Sequence, residues 1–178
     1  EEIKKDPNLS ENIKYIVIDD GWQYKYGEWE PNYKFPGGLE RVVKEITDRG
    51  FVPGIWTAPL LIDTTSYPGL RMPEIMIKNQ YGDPFVHSGS YLLDPTTPGG
   101  KDFLRKLYTH LYEIGFRLFK VDYVSSLLYV DSFYDKTKGP YEVLRDMFAL
   151  IRECVTEESH ILGCSLPIEC GQGLADSG

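Results

Sequence analysis

The sequence contains little from which a metal centre or a disulfide framework could be built. Three cysteines and three histidines occur among its 178 residues. The cysteines, Cys154, Cys164 and Cys170, form no C-x-x-C pair, and the histidines lie far apart along the chain. Structural zinc sites need several such ligands at short spacings, and disulfide frameworks need a denser, even-numbered set. We therefore expect reduced thiols, no bound metal and no cofactor.

Positive charge and long hydrophobic runs are also scarce. The formal net charge is -8 and the basic residues are scattered, which argues against nucleic acid or an anionic membrane as a partner. No apolar run approaches the length of a transmembrane helix, and residues 1–5 do not have the composition of a signal peptide, which favours a cytoplasmic location. At 178 residues, the chain is also shorter than a complete eight-stranded α/β barrel, which takes about 250.

What the sequence does contain is an alternation of strands and helices. Four short apolar runs predict buried strands, at 15–20, 51–57, 116–123 and 160–166. Three stretches between them predict helices, at 38–49, 99–114 and 140–157. This order predicts an α/β fold over residues 1–178, in which helices cover a parallel sheet. The long connections 21–37 and 58–98 follow strands, so they would meet at the carboxyl edge of the sheet, where such folds carry active sites.

A lysine and an aspartate mark the end of the third predicted strand. Phe119-Lys120-Val121-Asp122-Tyr123 places Lys120 and Asp122 two residues apart. Side chains alternate along a strand, so these two would share one face while Phe119, Val121 and Tyr123 occupy the other. A neighbouring lysine would keep Asp122 ionised, and the carboxylate could then act as a nucleophile or accept hydroxyl groups. A purely structural ion pair at a strand end is the alternative.

The first two predicted strands also end in polar or aromatic residues. Asp19 and Asp20 close the first strand. Their carboxylates could bind sugar hydroxyls or a metal ion, or the two residues could form a turn before Gly21. Trp56 closes the second and would be either a lid on the core or a platform for a sugar ring. The connection after the first predicted strand adds four more aromatic residues, Trp22, Tyr24, Tyr26 and Trp29. This density of aromatic side chains favours a carbohydrate cleft.

Cys164 lies at the end of the fourth predicted strand, where it would be near Asp122. No histidine has a sequence context suited to activating it, so we interpret it as a residue of the cleft wall rather than a nucleophile. His160 begins the same strand, away from the carboxyl edge, and is interpreted as structural.

These segments together resemble the catalytic barrel of glycoside hydrolase family 36, the bacterial-type α-galactosidases or melibiases. The resemblance rests on four motifs in order: Tyr15-Ile-Val-Ile-Asp-Asp-Gly-Trp22, Gly50-Phe-Val-Pro-Gly-Ile-Trp-Thr-Ala-Pro59, Phe119-Lys-Val-Asp-Tyr123 and Ile161-Leu-Gly-Cys164. It covers nearly the whole chain. It implies a partial (β/α)8 TIM barrel comprising the second to fifth of eight strands. Such a part would leave strand edges and apolar helix faces uncovered, so we expect self-association, a homo-oligomer being one outcome.

The resemblance also implies an activity and a role for each candidate residue. The activity is hydrolysis of terminal α-D-galactosides, of the melibiose or raffinose type, by a retaining mechanism in which Asp122 attacks the anomeric carbon. Asp19 and Asp20 would bind galactose hydroxyls, and Lys120 would hold ring hydroxyls and help keep Asp122 charged. The partner is thus an oligosaccharide with a terminal α-galactose. Trp56 would contact the sugar and Cys164 would line the pocket.

The family's general acid/base is an aspartate on the strand after the Gly-Cys segment. Residues 175–178 resemble the approach to that motif, and Asp176 matches the residue that leads into it rather than the acid itself. The acid/base is therefore expected outside residues 1–178, in a larger enzyme.

Other interpretations stay open at the level of sequence. Raffinose and stachyose synthases use the same chemistry but pass the galactosyl group to a sugar, and another sugar than galactose is also compatible with the motifs. A domain that binds carbohydrate without chemistry would keep Asp19, Asp20 and Trp56. An unrelated barrel enzyme could use Lys120 as a Schiff-base amine.

Overall fold

The computed structural model describes residues 2–178, apart from the side chains of residues 2, 4 and 10. The strands are β1 (Tyr15–Ile18), β2 (Gln23–Lys25), β3 (Glu28–Pro31), β4 (Val52–Thr57), β5 (Leu61–Asp63), β6 (Val86–His87), β7 (Ser90–Leu92), β8 (Leu118–Val121) and β9 (His160–Gly163). The helices are α1 (Glu2–Lys5), α2 (Pro7–Asn12), α3 (Gly38–Asp48), α4 (Tyr67–Arg71), α5 (Pro98–Ile114), α6 (Pro140–Val155) and α7 (Ile168–Gly171). Two 3-10 helices span Pro73–Ile75 and Val124–Tyr129.

The central sheet consists of four parallel strands in the order β1-β4-β8-β9. These are the four strands that the apolar runs predict, although three of them end two or three residues earlier than expected. Each is short and rich in aliphatic or aromatic residues, a composition suited to the buried centre of an α/β fold.

Three long helices, α3, α5 and α6, connect these strands and cover one face of the sheet, close to the bounds that the sequence predicts. The Thr97 hydroxyl caps α5 by accepting a hydrogen bond from the Gly100 amide, and Gly115 ends that helix with a left-handed φ of 117°. Fully buried strand residues such as Ile55 and Phe119 pack against this layer of helices. The Phe119 ring contacts the Tyr108 ring of α5 edge to face. In the part of the chain that the structure describes, no helix has both the length and the hydropathy required to span a bilayer.

The opposite, inner face of the sheet is strongly curved. Tyr15 and His160 begin the two outermost strands, yet their ring centroids are 5.7 Å apart. Gly54 lies on this face between Val17 and Leu118, and a Cβ atom there would approach their side chains to 3.0 and 3.1 Å. The curvature and the alternation of strands with helices make the sheet part of a (β/α)8 barrel, as predicted.

The two long connections contain strands that the sequence analysis treats as loops. After β1, strands β2 and β3 form an antiparallel hairpin that turns at Gly27, whose φ is 90°. After β4, strands β5, β7 and β6 form a separate antiparallel sheet. Strands of two to four residues carry too little periodicity to be recognised among turn residues. The short helices α1 and α2 were likewise not predicted.

The C-terminal residues return to the edge of the central sheet. Ser177 forms a parallel bridge with Leu162 of β9, and the Gly163 amide donates to the Ser177 carbonyl over 2.9 Å. Asp176 accepts a hydrogen bond of 2.6 Å from Arg152 and one of 2.7 Å from the Ile161 amide. Asp176 is thus level with the second residue of β9, away from the carboxyl edge.

Candidate active site

Five of the residues singled out from the sequence share the inner, carboxyl-edge side of the barrel wall. In the register of the sheet, Trp56 of β4 lies beside Lys120 of β8. Asp19 follows the last residue of β1, Asp122 follows β8, and Cys164 follows β9. Because side chains alternate along strands, residues two apart on a strand point to the same side, and the register aligns the four strands. The sequence prediction that these residues meet at one edge is confirmed.

Lys120 forms its ion pair with Asp19, not with Asp122. Its Nζ lies 2.7 Å from Asp19 Oδ2, and the side chains of Lys120 and Asp19 are 26% and 60% exposed. Partial burial alone would raise the pKa of Asp19, but hydrogen bonds from Lys120 and from the Asp20 amide hold it below its ordinary value. The pKa of Lys120 is raised, chiefly by its hydrogen bond to Asp19. The prediction that Lys120 pairs with Asp122 is therefore corrected, although the charge of Asp122 is still among the interactions that raise the pKa of Lys120.

The Asp122 carboxylate is held by two N–H donors. The Trp56 indole donates to Oδ2 over 3.0 Å, and the Tyr123 amide donates to Oδ1 over 2.7 Å. The Asp122 amide donates in turn to the Thr57 carbonyl over 2.8 Å, which fixes the backbone against β4. Two donors on different oxygens fix the orientation of a carboxylate and stabilise its negative charge.

Tyr123 does not follow the alternation predicted for it. Strand β8 ends at Val121, and Tyr123 has a left-handed φ of 57°, so its side chain is about half exposed instead of facing the core with Phe119 and Val121. A left-handed conformation is uncommon for a residue with a Cβ atom and is found disproportionately at functional sites. Here it directs the Tyr123 amide toward Asp122.

Trp56 is buried, with 1% of its surface exposed, so the structure favours the first of its two interpretations, a lid on the core, over a sugar-stacking platform. Its indole N–H faces Asp122, and its carbonyl accepts a hydrogen bond from the Trp22 indole over 2.8 Å. Trp22 and Trp29 are buried as well. Large rings of this kind stabilise the core under the carboxyl edge, so the aromatic density of the sequence reflects packing at these three positions rather than an open cleft.

Asp20 is bound from the β2–β3 hairpin. Gln23 donates from Nε2 to Oδ1 over 2.8 Å, and the Tyr26 hydroxyl donates to Oδ2 over 3.3 Å. The sequence does not mark Gln23 as a site residue, and it marks Tyr26 only as one of four aromatic residues in this connection. Nothing in the sequence pattern could have identified either residue, because the contact depends on a hairpin that is not visible as a pattern.

Cys164 is partly buried beside the charged residues. Burial raises the pKa of its thiol, and the negative charges of Asp122 and Asp19 raise it further against the opposing effect of Lys120. A raised pKa disfavours the thiolate, which agrees with a wall residue better than with a nucleophile. His160 is hydrogen-bonded to the Ser177 hydroxyl over 2.8 Å at the far end of β9.

Within residues 2–178 no three His, Cys, Asp or Glu side chains are grouped so that they could hold a metal ion. The two adjacent carboxylates that could have started such a group point to separate partners. Asp19 pairs with Lys120, and Asp20 binds Gln23 and Tyr26.

Known α-galactosidases resemble this chain in sequence. Alpha-galactosidase 1 of Pediococcus pentosaceus is 30% identical over 90 residues, which cover 46% of this chain and 12% of that protein. Alpha-galactosidase C of Emericella nidulans is 32% identical over 98 residues, covering 44% of this chain and 12% of that protein. No family model matches the chain. The chain therefore spans a small part of the length of these relatives.

Solved structures match over almost the whole chain. The α-galactosidase TtGalA of Thermus thermophilus, solved in complex with stachyose, has a TM-score of 0.81 and 27% identity over 93% of this chain and 36% of that one. GH36 α-galactosidase AgaA of Geobacillus stearothermophilus has a TM-score of 0.69 over 85% of this chain and 23% of that one, at 16% identity, and so shows the shared fold. In its fold and in its four edge motifs, the chain is thus similar to a segment of the catalytic barrel of the α-galactosidases of glycoside hydrolase family 36, as the sequence predicts.

Proposed function

We propose that the protein containing this chain hydrolyses terminal α-D-galactosides by a retaining double displacement, with Asp122 as the nucleophile. The observation that carries the proposal is the Asp122 carboxylate, held at the carboxyl edge by Trp56 and Tyr123. Further support comes from TtGalA, which was solved with stachyose and with p-nitrophenyl α-D-galactopyranoside.

In the first step, an oxygen of Asp122 attacks the anomeric carbon. The bond to the leaving oxygen breaks as a general acid protonates that oxygen, and the transition state has oxocarbenium character. In the second step, the same group takes a proton from water, which attacks the anomeric carbon and releases galactose and free Asp122. Two inversions give net retention of configuration.

The charged residues around Asp122 would bind the sugar. Asp19 and Asp20 can accept hydroxyl protons, and Lys120 can donate to a ring hydroxyl while its charge favours the carboxylates around it. Cys164 would line the pocket as a neutral thiol. We assign Trp56 to the orientation of Asp122 rather than to sugar stacking, because its ring is buried.

The general acid/base would come from a residue outside 1–178, as the family resemblance implies. In retaining enzymes the two carboxyl groups stand about 5 Å apart. Asp19 is unsuited to this role, because its lowered pKa and its pairing with Lys120 keep it ionised near neutral pH. Asp176 is also unsuited, since it is bound to Arg152 and the Ile161 amide at the start of β9.

Hydrolysis of an aryl α-galactoside by the complete gene product, followed by proton NMR, tests this proposal. We expect α-galactose to be released first. Initial release of the β anomer would overturn the retaining mechanism, and absence of turnover by the folded protein would overturn the hydrolase. Adding a sugar acceptor distinguishes transfer from hydrolysis, because a transferase would form a new galactosyl oligosaccharide in place of free galactose.

A further inference from the structure

Asp20 differs from Asp19 in what holds its carboxylate. The two residues follow the end of β1, and Asp19 pairs with Lys120 on the inner face. Asp20 instead receives one hydrogen bond on each oxygen, from Gln23 and from Tyr26. Both donors belong to the hairpin formed by β2 and β3 and its turn.

Gln23 is a fixed anchor for Oδ1 of Asp20. The residue is 8% exposed, and its Oε1 accepts a hydrogen bond of 3.1 Å from the Gly21 amide. Because one end of the side-chain amide is occupied by a backbone donor, the NH₂ end must face Asp20. Asn32 holds the same turn by donating to the carbonyls of Gly21 and Gln23 over 2.9 and 3.0 Å.

Tyr26 approaches Asp20 from the other side of the carboxylate. Its carbonyl accepts a hydrogen bond of 2.9 Å from the Asp63 amide, which ties the turn to β5, and its ring centroid lies 6.2 Å from that of Trp56. Burial, followed by the charge of Asp20, raises the pKa of Tyr26 to about 12, and Tyr123 and Asp122 contribute to the rise. The phenol therefore stays protonated as a donor, close enough to both carboxylates to sense their charge.

We propose that Tyr26 is a positioning residue, which holds the Asp20 carboxylate in the orientation that receives substrate hydroxyls. This inference rests on the proposed function, since it assigns Tyr26 to the same sugar site. Each Asp20 oxygen keeps further acceptor capacity after binding one protein donor. A carboxylate fixed before binding loses less conformational freedom when the sugar arrives, so the benefit is expected in affinity.

The test compares Tyr26→Phe with Tyr33→Phe in the complete gene product. Tyr33 is 87% exposed and follows the same hairpin, so Tyr33→Phe removes an equivalent hydroxyl away from Asp20. With an aryl α-galactoside, Tyr26→Phe should raise KM about tenfold, the effect of losing one hydrogen bond to a charged group, with a smaller change in kcat. Tyr33→Phe should leave both unchanged, and all variants should share the thermal midpoint of the wild type.

A double-mutant cycle shows whether Tyr26 acts through Asp20. In an Asp20→Asn background, Tyr26→Phe should have little further effect on KM, because the carboxylate that it positions is absent. An unchanged KM in the single variant would overturn the proposal. So would an equal tenfold loss in the Asp20→Asn background, since Tyr26 would then act independently of Asp20.

Galactose binding by calorimetry separates this inference from the proposed function. A wild type that binds galactose without turnover would overturn the hydrolase, and the Kd values of the same variants would still test Tyr26. A folded wild type with neither turnover nor galactose binding would overturn both.

Discussion

The Trp56 indole donates a hydrogen bond of 3.0 Å to Asp122 Oδ2, which joins the buried aromatic core under the carboxyl edge to the candidate nucleophile. Two adjacent strands, β4 and β8, contribute the donor and the acceptor. The orientation of Asp122 therefore depends on core packing as well as on its own strand.

Removing the Trp56 donor should lower activity more than stability. Trp56→Phe keeps a buried ring but leaves Asp122 Oδ2 without its indole donor, so we expect kcat/KM for an aryl α-galactoside to fall about tenfold to a hundredfold. Trp29→Phe is the matched control. The Trp29 indole is also buried, and its Nε1 has no hydrogen-bond partner among the described residues. Equal losses of kcat/KM in the two variants would show that ring volume matters and the hydrogen bond does not.

The ion pair between Lys120 and Asp19 should stabilise the fold in a pH-dependent way. The pKa of Asp19 is lowered in the folded protein, so the contribution is present above its ordinary pKa and is lost as pH falls through the lowered value. Lys120→Met should therefore reduce stability at pH 7 by less than about 1 kcal/mol, since Asp19 is well exposed. Thermal midpoints of wild type and variant should differ by a constant amount above about pH 4 and should converge as the pH falls further below that value. A difference that stays constant well below about pH 4 would contradict the pairing.

The Cys164 thiol should report the charge of Asp122 without any turnover. Because that charge helps to raise the pKa of Cys164, Asp122→Asn should increase the rate at which iodoacetamide alkylates Cys164 at pH 7.5. Peptide mass spectrometry measures each cysteine separately. The pKa of Cys170 is raised by its own burial and by Glu169, so its alkylation rate serves as the internal reference. A rate for Cys164 that does not change relative to Cys170 would place Asp122 too far away to matter.

The ion pair between Arg152 and Asp176 is expected to be structural. The Arg152 side chain is 8% exposed and also donates to the carbonyls of Leu174 and Ser159. Asp176→Asn would leave this buried charge without its counter-ion, so urea denaturation should show a loss of about 2 kcal/mol. Asp102→Asn breaks an exposed pair with Lys106 and should cost less than about 0.5 kcal/mol. Similar losses in the two variants would mean that burial of Arg152 does not matter.

The sequence predicts the parallel sheet well because its strands are apolar runs separated by helices with clear proline and glycine signals. Those local signals also predict where the strands end, and they therefore locate Asp19, Trp56, Asp122 and Cys164 at the carboxyl edge. The antiparallel strands β2, β3 and β5 to β7 escaped prediction, since their residues are few and their pairing depends on long-range packing.

The site contacts were less predictable than the site residues. Strand alternation gives Lys120 and Asp122 the same face, but the lysine side chain crosses to Asp19, which lies 101 residues away in sequence. Likewise, no sequence pattern reveals that Trp56 is buried or that Gln23 and Tyr26 bind Asp20. Such choices between neighbouring partners depend on distances of a few ångströms in the folded protein.

The measurement that tests the account most directly is hydrolysis of an aryl α-galactoside by the complete gene product and by its Asp122→Asn variant. The matched control is Asp131→Asn, because Asp131 is an exposed aspartate that follows the 3-10 helix Val124–Tyr129. We predict that kcat falls on the order of 10⁴-fold in Asp122→Asn, that galactose binding survives, and that Asp131→Asn behaves as the wild type. Turnover that persists in a folded Asp122→Asn variant would contradict the assignment of Asp122 as the nucleophile.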